Sequence, residues 1–109
     1  MKFLLSVYAD PVVMAGLDHA DFVSTARESG ELVDGQALAD PSTSAVVRVR
    51  EGVATVADGP YVQSPVLAAY YLVDCEDRER AIELAGSIPA ARCDAVEVRP
   101  VMLPGGMEP

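Results

Sequence analysis

The stretch that most constrains the fold is LAAYYLV, residues 67–73, an almost continuously apolar run with no charge. It is far shorter than the ~20 residues of a membrane span, so it reads as a strand. A strand with so little alternation is expected to be covered on both faces. The rest of the chain offers little helix to do the covering. Helical spacing recurs in only two places. Across residues 18–29, His19, Phe22, Val23 and Ala26 share a face, and Gly30 is a natural stop. Across residues 75–88, Ala81, Leu84, Ala85 and Ile88 form a stripe, with Asp74 and Asp77 placed to cap the first turn and Pro89 to end the helix.

The other elements read as strands. Residues 2–8 alternate, with Phe3, Leu5 and Val7 on one face and Lys2, Ser6 and Tyr8 on the other, and Asp10-Pro11 ends them. ELVDGQAL gives a short strand around Leu32 and Val33 with a bend at Asp34-Gly35, and Pro41 breaks the chain. SAVVRVREGVATVA is a hairpin joined at Glu51-Gly52, and AVEVRP is a last strand with Val96 and Val98 facing inward. The order is β-α-β-β-β-β-α-β, or β-α-β-β-α-β with the hairpin counted as an insertion. Two helices cover one face of such a sheet, which predicts a ferredoxin-like α+β sandwich. The second face then calls for a partner subunit, and a symmetric homodimer is the simplest source. With no repeat or linker in 109 residues, residues 1–102 read as one domain and 103–109, LPGGMEP, as a loose tail.

Seventeen acidic against eight basic residues give a net charge of −9. Such a surface repels phosphate backbones and anionic lipid, so direct nucleic-acid and membrane partners are not expected. The opening MKFLLSVYADP stops being apolar at Tyr8, too early for a secretory h-region, which suits a cytoplasmic protein. Cys75 and Cys93 have no CxxC spacing and only one histidine to join them, so they read as reduced thiols; neither a metal site nor a cofactor is expected.

Few residues can carry chemistry. Asp58 ends a strand and is followed by Gly59-Pro60. It is either a turn residue bonding its own downstream backbone or a carboxylate at the mouth of a cleft. His19 is the only histidine: a satisfied core-edge side chain, or a base that a carboxylate such as Asp58 could orient. Arg92 either pairs with a surface acid or grips an anionic substrate through two parallel hydrogen bonds. Tyr8 and Tyr61 are rim aromatics or ligand contacts. GPYVQSP lacks the lysine and helix start of a phosphate loop, and no GxSxG occurs.

Taken together, KFLLSVYAD, ELVDGQALADPSTSAVVRVREG, VADGPY, YYLVD and SIPAARCDAVEVRPV resemble the YCII-related family, and within it the DGPF branch named for the consensus DGPFAETKE. The resemblance implies a ferredoxin-like fold that dimerises through its sheets as an α/β barrel. It also implies kinship with lyases that use a His–Asp pair, and with proteins found alongside alternative sigma factors. Asp58 matches the branch. The AETKE segment does not: VQSPV replaces it, putting Gln63 where the branch has an acid and Pro65 where it has a lysine. Two functions follow as expectations. One is a cofactor-independent lyase or isomerase acting on a small organic substrate, with His19 and Asp58 catalytic and Tyr8, Tyr61 and Arg92 holding the substrate. The other is a non-catalytic dimer that binds a small molecule or assists a transcription factor. In both, His19 is expected to approach Asp58 at a cleft containing Tyr8 and Tyr61.

Overall fold

The computed structural model describes residues 1–103. The expected tail at 103–109 therefore lies, apart from Leu103, outside the described residues. Six strands and three α-helices run in the order β1 (Lys2–Tyr8), α1 (Pro11–Ala15), α2 (Ala20–Glu28), β2 (Leu32–Ala37), β3 (Ala45–Arg50), β4 (Val53–Asp58), β5 (Leu67–Asp74), α3 (Arg78–Gly86) and β6 (Ala95–Pro100). Two short 3₁₀ turns, Pro41–Thr43 and Pro89–Arg92, punctuate the chain. Four strands form an antiparallel sheet in the order β2-β5-β1-β6, and β3 pairs only with β4. With the hairpin set aside, this is the strand order of a ferredoxin-like α+β fold.

Alternation in β1 fixes which face is inside. Phe3, Leu5 and Val7 are buried with Ala69, Tyr71 and Val73 of β5, and α2 and α3 lie over them through Phe22, Ala26, Ala81, Leu84 and Ala85, joined by Ile88 just beyond α3. Val96 and Val98 of β6 pack against that cluster, as their spacing predicts. Residues 67–73 are not covered on both faces within one chain. Ala69, Tyr71 and Val73 are buried, whereas Tyr70 and Leu72 on the opposite face are half-buried. Both long helices sit on the first side; among the described residues no helix covers the second face, where Leu4, Tyr8, Tyr70 and Leu72 are half-buried, and β2 and β6 are the edge strands.

The local signals account for most boundaries. Beyond α2, Gly30 takes φ +79°, and the amides of Gly30 and Glu31 bond back to the carbonyls of Arg27 and Ala26, a Schellman stop. Asp77 caps α3 by accepting from the Arg80 amide at 2.9 Å, while Asp74 instead pairs with the chain's terminal amino group at 3.1 Å. The helix α1 was not foreseen. Asp10 accepts from the Val12 amide at 2.8 Å and Pro11 takes the first helical position, so the pair that ends β1 also starts a helical turn. Glu31, ahead of β2, is clamped to α3 by two hydrogen bonds from Arg80, at 2.9 and 2.8 Å.

The hairpin turns at Glu51 and Gly52, both at positive φ (52° and 79°), as a two-residue turn matched to strand twist requires. Its β3–β4 ribbon reaches away from the main sheet. The radius of gyration, 15.8 Å, exceeds the ~13 Å of a compact chain of this length.

Candidate functional site

Where the ribbon leaves the body, the ends of several strands converge. The Gly59 amide donates to the Ser44 carbonyl at 2.9 Å, closing the ribbon's base. The Ala9 amide bonds the Val66 carbonyl at 3.1 Å, and the Leu38 amide bonds the Ala68 carbonyl at 2.8 Å, tying the following loops to the sheet. Gly59 is required there for room: a Cβ at that position would stand 2.8 Å from the Cβ of Ser44. The convergence encloses a cavity of about 490 Å³ walled by Tyr8, Leu38, Pro41, Ser44, Pro60, Tyr61, Val62, Pro65, Val66 and Leu67. The volume suits a small organic molecule, and among the described residues no ionisable group other than the two tyrosines lines it.

The side chains singled out from the sequence separate into four places. Tyr8 and Tyr61 meet at this cavity. Asp58 stands at the end of β4 opposite Ala45, exposed, and its carboxylate makes no hydrogen bond or ion pair among the described residues. Arg92, exposed, ends the 3₁₀ turn after α3 and does not line the cavity. His19 sits at the N-cap of α2, where its Nδ1 lies 3.0 Å from the Tyr71 hydroxyl. Tyr71, rather than Asp58, is thus the hydrogen-bonding partner of the histidine.

That pair is built by packing. A Cβ on Gly35 would fall 2.3 Å from Cδ1 of Tyr71, so only glycine lets the tyrosine ring lie across β2. Phe22 then meets the ring edge to face, with centroids 4.8 Å apart. Burial pushes the Tyr71 hydroxyl above its ordinary range, and it pushes the His19 imidazole down, against a smaller upward pull from Asp18. Nε2 of His19 is buried and has no hydrogen-bond partner among the described residues. In either neutral tautomer one ring nitrogen is therefore left unsatisfied, at a cost of about 1–3 kcal/mol.

Sequence reasoning missed Tyr71, because it lies inside a run that reads simply as core. It missed the aliphatic wall of the cavity for the same reason. It also missed Arg48, whose guanidinium carbon lies 5.2 Å above the centroid of the Tyr61 ring. The signals were present as the alternating arginines of VVRVR and as prolines at the strand ends, but neither says what the chain folds against.

Among the described residues no group of three or more His, Cys, Asp or Glu side chains is placed to hold a metal ion, and no helix is long and apolar enough to cross a membrane. Cys75 is buried and Cys93 exposed, both as free thiols. In comparison with known proteins, residues 1–103 match the YCII-related domain, and a search of curated proteins returns no match.

Proposed function

Because the chain belongs to the YCII-related family, whose membership fixes neither a reaction nor a ligand, we propose from the site itself that it binds a small organic molecule in the cavity at the base of the hairpin. The observation that carries this reading is the lining: among the described residues, a ligand-sized, largely apolar wall with two tyrosines and no acid–base pair. Within the family we place the chain in the DGPF branch on Asp58-Gly59-Pro60. There Gly59 and Pro60 have work independent of Asp58, one seating the ribbon against Ser44 and the other walling the cavity.

We propose also that the protein acts as a homodimer. The open face carries half-buried Leu4, Tyr70 and Leu72, and a second copy laid on it would complete the barrel that the resemblance implies. Light scattering should return twice the 11.5 kDa of one chain, and a monomer at micromolar concentration would overturn the dimer. Free thiols suit the reducing cytoplasm, and a charge of −9 disfavours contact with nucleic acid or anionic membrane, so a role beside a transcription factor would pass through protein contacts.

The chain has no tryptophan, so an added fluorophore reads binding directly. Neutral N-phenyl-1-naphthylamine should brighten with saturable, micromolar binding. Leu67→Asp, on a partly exposed wall, should keep the fold by circular dichroism and weaken that binding at least about ten-fold. Equal binding by both proteins would sink the cavity reading.

A second reading, a lyase or isomerase, is favoured by one observation, the unpartnered Nε2 of His19. In it His19 is the base, Tyr71 its orienting partner, and Asp58, Tyr8, Tyr61 and Arg92 serve the substrate only if it spans from α2 to the hairpin base. A small molecule that hydrogen-bonds Nε2 would be its mark.

A further inference from the structure

The pairing of β3 with β4 sorts the ribbon's side chains into two unlike faces. Val47 opposes Val56, Val49 opposes Ala54, and Ala45 opposes Asp58 on one face. On the other, Arg48 opposes Thr55 and Arg50 opposes Val53. Asp58 therefore lies on the face away from both arginines. Neither guanidinium is in an ion pair among the described residues; Arg50 only donates to the neighbouring Val49 carbonyl, at 3.0 Å. In a chain with seventeen acids and eight bases, two adjacent arginines on one face with no acid across from them form a local exception to the overall charge.

Tyr61 connects this face to the cavity. Its ring lies under Arg48, an arrangement that holds the guanidinium by cation–π attraction. The same residue walls both the apolar cavity and a shallower cleft of about 390 Å³ formed with Val46, Arg48 and Arg50. Tyr61 thus stands between a chamber with no charged side chain among the described residues and a cleft that carries two guanidiniums outside any ion pair there.

We propose that the ligand is an apolar organic anion, its body in the cavity and its carboxylate or sulfonate on Arg48 and Arg50. This rests on the reading that the cavity binds a small molecule and adds the chemical class. The chamber alone would take any apolar body. The arginine shelf selects those bearing an acid group at one end, because guanidinium forks match carboxylate and sulfonate oxygens in pairs. Arg48, rather than Arg92, is then the anion-gripping residue.

Two probes with one ring skeleton separate the claims. Anilinonaphthalene sulfonate carries a sulfonate that N-phenyl-1-naphthylamine lacks. The anionic probe should bind about ten-fold tighter than the neutral one. Arg48→Gln and Arg50→Gln should each erase a large part of that preference and leave the neutral probe within about two-fold of the parent protein. Leu67→Asp should weaken both probes. Equal affinities for the two probes, or a preference that survives in the Arg48→Gln/Arg50→Gln double variant, would overturn the anion class while leaving the cavity in place. Failure of the neutral probe to bind at all would overturn the cavity reading itself, and sulfonate binding that ignores Leu67→Asp would place the anion elsewhere and overturn the proposal.

Discussion

The four-stranded sheet and the β3–β4 ribbon are written in much the same alphabet of valine, alanine and alternating polar residues, yet they meet opposite fates. Leu5, Val7 and Val73 are fully buried at 0 % exposure, whereas Val47, Val53 and Val56 remain 62 %, 62 % and 70 % exposed. The difference lies in what stands opposite. The sheet has α2 and α3 on one face, and among the described residues the ribbon has no layer on either. β-Propensity forms a strand, but a second layer is what buries it. A two-stranded ribbon is marginal on its own, so this one depends on its base, where Gly59 bonds Ser44 and the cavity begins.

The largest expected effect is on the covered side. Leu5→Ala should cost about 2–5 kcal/mol in urea unfolding, through lost burial and the cavity left behind. The equivalent truncation on the ribbon, Val47→Ala, should stay within about 0.5 kcal/mol. A cost above about 1 kcal/mol at Val47 would show that the ribbon is packed against something and break the contrast.

Next comes the contact between β2 and β5. Gly35→Ala drives a methyl into Tyr71 and approaches the Tyr70 carbonyl at 3.0 Å, so it should destabilise by about 1–3 kcal/mol and displace the ring that holds His19. Gly16→Ala, with its nearest atom at 3.6 Å, is the matched control and should be close to neutral. Equal effects would mean that Gly35 is not chosen for room.

A smaller effect marks the tie that the ribbon lacks. Removing the charge at the clamp, Glu31→Gln, should cost about 1 kcal/mol, since Arg80 keeps Glu83 at 3.3 Å as a second acid. No measurable loss would reduce the clamp to an ordinary surface pair.

The smallest effect is the pH response of His19. Burial lowers its folded value below the ordinary 6.5, so the unfolded chain takes up the proton first. The contribution to stability is full above the unfolded value and is lost as pH falls below it. Stability should therefore decline as pH falls below about 6.5 more steeply in the parent than in His19→Gln. Parallel profiles would remove His19 from the account.

The sheet was legible because its signals are local. Alternation in residues 2–8 names the buried face, Gly30 and Asp77 mark helix ends, and Glu51-Gly52 names the hairpin turn. Tyr8 and Tyr61 stand out in the sequence at and just after strand ends, and the structure brings them to one cavity. The His19–Tyr71 bond was not, since it joins residues 52 apart through a gap that exists only because Gly35 lacks a side chain. Nor was the half-open state of residues 67–73. Hydrophobicity shows that a face wants cover, without saying whether a helix of the same chain supplies it. The motif Asp58-Gly59-Pro60 drew attention to its acid, while its glycine and proline are the parts the fold uses.

We propose that ligand chemistry resides at the base of the ribbon and not at the half-buried His19. Titrating the ¹⁵N-labelled protein with anilinonaphthalene sulfonate tests it most directly. Amide shifts should concentrate at Leu38, Tyr61, Val62, Val66 and Leu67 and extend to Arg48, with α2 and α3 unmoved. Shifts centred instead on His19, Phe22 and Tyr71 would contradict the account and place the site at the His–Tyr pair.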